Sequence, residues 1–299
     1  VSAASDALAG RGEPATPIAQ DLRRLAADPA ATIGTAVILA FALMALLAPL
    51  LAPHDPYEPD LLRRLQPPAW MPGGELAFPL GCDALGRDIV SRIIYGARVS
   101  LAIGLLVVLF GTTIGVLAGL AAGYLRGWVD IAISRLVDVL LGFPYLIFAI
   151  GLMAMMGPGF GNIVLALVYK EWVLPCRVVR AETLAAREAE YVEAARALGA
   201  SRRHIMLREI LPNILSAVVV VATFRIAHVI IVEASLSFLG LGVQPPTPTW
   251  GSMIADGRGF LINAWWVSTF PGIAILLLVL SINMVGQSLR DAFDPRLRQ

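Results

Sequence analysis

The run of residues 33–51, IGTAVILAFALMALLAPLL, contains no charged residue, and this restricts the fold more than any other feature of the chain. At about 1.5 Å per helical residue, such a run crosses a hydrocarbon core of roughly 30 Å. Further apolar stretches follow at 101–124, 130–156, 162 to about 180, 214–238 and 266–285. Hydrophobic residues make up 58% of the 299 positions and the mean hydropathy is +0.75, beyond what a soluble domain of this size needs. The expected fold is therefore all-α, a polytopic membrane protein with six transmembrane helices.

The segments between these runs set the organisation. Residues 1–32 are polar and rich in Pro and Ala. The apolar run after them is too long for a cleaved signal peptide and lacks its flanks, so it is expected to remain as an anchor. Residues 33–99 form a first transmembrane helix and a large external loop, in which HDPYEP, QPPAW and MPGG are too polar for lipid and too rich in breakers for a long helix. Within that loop Gly81, Gly86 and Gly96 mark turns, and Asp83, Arg87 and Asp88 can pair locally. Residues 100–289 hold five more helices, and 290–299 a short tail. Six crossings put both termini on one side. Arg11, Arg23, Arg24, Arg126 and the arginines between 177 and 208 make that side cytoplasmic. The paired Trp265 and Trp266 suit an outer interface.

One long polar interruption divides the second half: EYVEAARALGASRRHIMLREILPN, residues 190–213. Its Ala, Leu, Arg and Glu favour a helix up to Leu198, Gly199 suits a left-handed position after it, and Ser201 can cap a second short helix that stops before Pro212. With apolar runs on both sides, this helical hairpin must lie at a membrane surface. Arg196, Arg202, Arg203 and Arg208 assign it to the cytoplasmic one.

Two further patterns lie inside the apolar runs. Gly111, Gly115, Gly119 and Gly123 recur every four residues along one helical face, as at a close helix–helix contact. Charged and ionisable residues also enter the spans: Lys170 and Glu171 near mid-depth, then Arg225, His228 and Glu233 in the run after the hairpin. Such groups need partners or water, so they either pair with one another or line a polar pathway. Arg135 and Asp138, three apart on one face, are expected to pair near the inner surface, and Pro175 to kink its helix.

Several function classes are excluded. Net charge is only +1, which offers no basic face to nucleic acid. Lys170 is the sole lysine and Glu171 follows it, so the Gly-Lys-Ser/Thr of a phosphate-binding loop is absent. No Gly-x-Ser-x-Gly elbow or HExxH motif occurs either. His54, His204 and His228 are scattered without ligand spacing, and Cys82 and Cys176 fall on opposite sides of the membrane, so neither a metal site nor a disulfide is expected.

The hairpin closely resembles the EAA motif of bacterial ABC-importer permeases, in Glu193, Ala194, Ala195, Gly199, Leu211 and Pro212. PLGCDALGRDIVSRIIYGARVSL at 79–101, EASLSFLG at 233–240 with the Gly- and Pro-rich loop after it, and Arg290, Asp291, Asp294, Pro295 and Arg296 resemble the C-type inner-membrane subunit of the dipeptide/oligopeptide/nickel branch. The chain departs from the pattern at Glu209, where an apolar residue is frequent, and at Gln287, where Asp is common.

The resemblance implies a bacterial inner-membrane permease subunit. In that family the EAA loop, here about 181–212, is a coupling helix that docks into an ATPase subunit, with Glu193 fixing the turn and Gly199 permitting it. Implied partners are a homologous B-type permease, two cytoplasmic ABC ATPase subunits and a periplasmic or lipid-anchored solute-binding protein. The chain itself would bind no cofactor, since ATP and Mg would sit on the ATPase subunits. The implied substrate is a dipeptide or oligopeptide, with nickel, glutathione or another small solute as the alternative.

Overall fold

The computed structural model describes residues 28–293. The expectations placed on residues 1–27 and 294–299, including Arg11, Arg23, Arg24, Asp294, Pro295 and Arg296, lie outside that range.

Ten helices carry the architecture. α1 (Pro29–Leu46) starts at a proline, whose missing N–H costs nothing in a first turn, and Asp28 caps it by accepting the Ala30 N–H at 3.0 Å. A single turn, Ala48–Leu51, leads into an irregular segment. α2 (Ile89–Leu125) is the long central helix. A tight turn at Arg126 and Gly127, both at positive φ, reverses the chain into α3 (Gly127–Leu141). α4 (Tyr145–Met156) follows at 89° to α3, across a break at residues 142–144 where Pro144 cannot continue a helix. α5 (Phe160–Glu171) and α6 (Val173–Arg187) meet at Trp172, α7 (Glu190–Ala197) is short, and α8 (Arg202–Phe238) is long. α9 (Trp250–Gly257) begins with a capping box between Thr249 and Ser252, and α10 (Trp266–Phe293) closes the fold.

Four of these helices, α1, α2, α8 and α10, are long and apolar enough to cross a membrane, and the bent α3–α4 pair brings the number to five at most. The six expected crossings are thus not all single spans. The stretch 162–180 is shared between α5 and α6 and carries Lys170, Glu171, Arg177 and Arg180, which reduces its apolar character.

Three boundaries differ from expectation. α2 starts at Ile89 and not near 101, so a domain boundary at 99/100 falls inside a helix. Asp88 makes the difference: its carboxylate accepts the Ser91 N–H at 2.9 Å and the Ser91 hydroxyl at 2.6 Å, a strong N-cap. Gly96 lies within this helix, where a Cβ would stand 2.9 Å from Trp250 Cδ1, so the glycine makes room for an indole and marks no turn. Pro212 likewise does not end the second hairpin helix. Residues Ile205–Ile210 adopt π-helical geometry, with the Leu211 N–H bonded five residues back to Met206, and the helix runs on through Pro212 as α8.

The bundle packs around α2. Its glycine face meets the junction of α5 and α6 and then α6 itself: a Cβ at Gly111 would stand 2.7 Å from Glu171 Cβ, at Gly115 2.6 Å from the Trp172 carbonyl, at Gly119 2.7 Å from the Cys176 carbonyl and at Gly123 2.7 Å from Thr183 Cβ. At the start of α2, residues 52–88 and 239–265 fold into a cap. Trp250, fully buried, donates to the Ile93 carbonyl at 3.0 Å, and Trp266, also buried, donates to that of Cys82 at 3.3 Å. Trp266 is therefore a cap residue and no interfacial anchor. Burial pushes the Cys82 thiol up to about 12, helped by Asp88 and Asp83.

Candidate functional site

At the far end of α2 from the cap, α7 and the start of α8 form the hairpin. Val192, Ile205 and Ile210 are buried beneath it with Leu120 and Tyr124, which anchors the hairpin on the α2 C-terminus. Two arginines strengthen this anchor: Arg187 donates to the Tyr124 carbonyl at 2.9 Å, and the guanidinium groups of Arg187 and Arg196 lie 5.7 and 5.6 Å from the Tyr124 ring centre. Gly199 has φ +78°, its N–H bonds to the Arg196 carbonyl, and the Ala200 N–H reaches back to Ala195. Ser201 caps the next helix through the His204 N–H.

The tip faces away from the bundle. Leu198 is 88% exposed, and Tyr191, Glu193, Ala194, Arg202 and Arg203 are exposed as well. Ala195 and Leu211 are half-buried against the anchor, while Pro212 is exposed. No hydrogen bond or ion pair of the Glu193 side chain occurs among the described residues, whereas Gly199 adopts the left-handed conformation expected of it. Sequence reasoning did not single out Leu198 or Tyr191. The available signal was a large apolar residue immediately before the turn glycine of an otherwise polar helix.

The hairpin's two arms lead to a second cluster within the bundle. Glu171 is the last residue of α5, with only Trp172 between it and α6, and Arg225 lies on α8. The fully buried Glu171 carboxylate takes a bidentate pair from Arg225, with Nη2 at 2.7 Å from Oε2 and Nε on the other oxygen. The Tyr145 hydroxyl donates to Glu171 at 2.9 Å, and the His228 ring meets the Tyr145 ring edge-on at 4.9 Å. Lys170 donates to the Phe143 carbonyl at the α3–α4 break and lies 5.6 Å from the Tyr145 ring. Of the five candidate charges, Lys170, Glu171, Arg225 and His228 therefore converge. Glu233 does not join them: fully buried nearer the cap, it accepts hydroxyl bonds from Ser100 at 3.0 Å and Ser237 at 2.7 Å.

Elsewhere, Arg135 and Asp138 are exposed and form no ion pair with each other among the described residues. Asp130 instead pairs with Arg180 on α6, at 2.8 Å to Nη2. Cys82 and Cys176 are both buried free thiols.

Residues 94–299 match the family model for the binding-protein-dependent transport system inner membrane component. Residues 16–68 match that for the N-terminal TM domain of oligopeptide transport permease C. The chain belongs to this permease family. The permease is 41% identical over 283 residues to the di/tripeptide transport system permease protein DppC of Pseudomonas aeruginosa, covering 95% of this chain and 93% of the relative. It is 43% identical over 286 residues to the dipeptide transport system permease protein DppC of Escherichia coli, covering 96% and 95%. Among solved structures, inward-facing conformations of the MetNI methionine ABC transporter match with a TM-score of 0.57 at 19% identity, covering 69% of this permease and 98% of that chain. At that identity the match speaks for the fold alone. The permease is thus a multi-pass membrane subunit of the C-type branch.

Proposed function

We propose that this permease is one of the two membrane-spanning subunits of an ATP-driven importer of dipeptides and oligopeptides in a bacterial inner membrane, with the hairpin and both termini on the cytoplasmic side. The observation that carries the coupling role is the tip itself. A leucine 88% exposed, at the end of a helix held by a positive-φ glycine and an arginine–tyrosine anchor, presents an apolar knob that the described residues leave uncovered. A groove on a cytoplasmic ATPase subunit would cover it, with exposed Glu193, Arg202 and Arg203 around the rim.

The arms supply the mechanism. Rigid-body displacement of the hairpin moves α6 and α8 together with α5, because Glu171, which ends α5 one residue short of α6, is clamped to Arg225 on α8. Lys170 and Tyr145 extend that clamp to the α3–α4 break, so the bent pair moves with the arms. A homologous B-type permease would supply the other half of the pathway, two ABC ATPase subunits the nucleotide sites with ATP and Mg, and an external solute-binding protein the peptide. No ATPase site belongs to this chain. The 41–43% identity to DppC proteins over nearly the whole length supports the peptide assignment.

The test is uptake of a labelled dipeptide by cells lacking their own transporter and supplied with all subunits, carrying either this permease or its Gly199→Val form. A Cβ at Gly199 meets nothing within 4 Å, so the substitution strains only the backbone at φ +78°. Uptake by the unaltered permease and its loss in Gly199→Val, with equal membrane levels, is the expected result. Equal uptake by both would remove the hairpin from the coupling step.

A further inference from the structure

Under the cap, away from hairpin and charge cluster, two arginines share too few acceptors. Arg92 on the first turn of α2 is 3% exposed and Arg87 just before the helix 9%. Both turn to one oxygen of Asp83: Arg87 Nε donates to Oδ2 at 2.8 Å, while Arg92 Nη1 stands 2.9 Å away, outside hydrogen-bond geometry. The other Asp83 oxygen is already occupied by the N–H groups of Leu85 and Arg87, at 2.8 and 3.0 Å. Arg92 Nε has no hydrogen-bond partner among the described residues. The remaining carboxylate, Asp256 on α9, is 45% exposed and lies 3.7 Å from Arg87 Nη2 and 3.6 Å from Arg92 Nη2, too far for a hydrogen bond to either.

These groups line a cavity of about 230 Å³, closed on another side by Pro245, Pro246 and Thr247. A buried guanidinium without full hydrogen bonding is costly, and two forks facing one space match the planar geometry of a carboxylate. Asp256 is badly placed to satisfy them from its own helix, and burial raises its carboxyl above the usual aspartate range, Arg87 opposing this, so it holds its charge less firmly than an ordinary aspartate.

We propose that Arg87 and Arg92 form a carboxylate-binding site in the cap, held shut by Asp256, that takes the terminal carboxylate of a short peptide. An incoming carboxylate displaces Asp256 into solvent and supplies the two guanidinium groups with acceptors at bonding distance. The ligand class rests on the peptide-importer reading; the carboxylate chemistry rests on the arginines alone.

The experiment is calorimetric titration of the purified importer, without its solute-binding protein, with dialanine, dialanine amide and sodium acetate. Dialanine is expected to bind, its amide to bind at least tenfold more weakly, and Asp256→Asn to tighten dialanine by about tenfold, since it removes the competing charge. A purely structural ion cluster would show no binding to either form, or weaker binding in Asp256→Asn, and either result overturns the proposal. Arg92→Gln should abolish binding, but it removes a buried cap residue; Asp256→Asn, at a half-exposed position, keeps the test independent of folding. Binding of acetate with none of dialanine would overturn the peptide ligand. Dipeptide uptake by the whole importer reports separately on the peptide-importer reading.

Discussion

Glu171, at the end of α5, and Arg225, in the middle of α8, form a bidentate pair inside the bundle although 54 residues and the whole hairpin separate them. The pair closes the hairpin into a loop with two anchored ends, the Tyr124 anchor at one and the ion pair at the other. Breaking a buried pair by removing one partner costs about 3–5 kcal/mol, because the charge left behind stays buried. Arg225→Met should therefore lower the yield and melting temperature of the detergent-purified importer sharply, and Arg225→Lys should recover only part of the loss, lacking the fork. Glu171→Gln combined with Arg225→Met should be more stable than Arg225→Met alone. A double variant no better than the single would show that the pair adds nothing beyond packing.

The glycine face of α2 has a similarly direct test. At Gly115 a Cβ would press on the Trp172 carbonyl at 2.6 Å and the Cys176 N–H at 3.0 Å, both backbone atoms that cannot turn aside. Gly115→Ala should force α2 and α6 apart and cost about 1–3 kcal/mol, measured as a fall in melting temperature. Gly272→Ala in α10, where nothing lies within 4 Å, should leave the melting temperature unchanged or slightly raised.

Why the glycine face was legible and the start of α2 was not has a physical answer. A four-residue repeat encodes a helical face by itself, whatever packs against it. The start of α2 was hidden because Gly96 read as a turn, whereas it makes room for Trp250, 154 residues further along the chain. The same blindness left two readings open for the intramembrane charges. Glu171 and Arg225 resolve into an ion pair, but Lys170 donates to the Phe143 carbonyl, which is free to accept because the helix is interrupted between α3 and α4. Gly199 could be placed from sequence because its conformation is local. The exposure of Leu198 could not, since it depends on how far the anchor lifts the tip from the bundle.

Cys82 makes stability depend on pH in the alkaline range. An unfolded thiol ionises near 9.0, whereas the buried Cys82 thiol keeps its proton up to about 12. Between these values the unfolded chain binds fewer protons than the folded one, so stability falls as pH rises through that window and is unaffected by this group below it. Thermal melts at pH 8 and pH 10.5 should show a loss at the higher pH that is reduced in Cys82→Ala. Maleimide should label Cys82 only after unfolding. Rapid labelling of the native importer at this position would show that the cap opens freely.

The hairpin tip gives the sharpest separation of folding from function. Leu198 is 88% exposed among the described residues, so its replacement has little means of destabilising this subunit. If the leucine enters a groove on the ATPase, Leu198→Asp would bury an unpaired charge there, and recovery of the ATPase subunits on purification through a tag on this permease should fall at least tenfold. Membrane level and melting temperature of the permease alone should stay at the wild-type value. Val192→Asp, one turn and a half earlier on the same helix but fully buried against Ile205 and Ile210, should instead lose the protein itself. Normal ATPase recovery and uptake in Leu198→Asp would remove the exposed knob from the interface and leave the surrounding charges, Glu193, Arg202 and Arg203, to carry the docking.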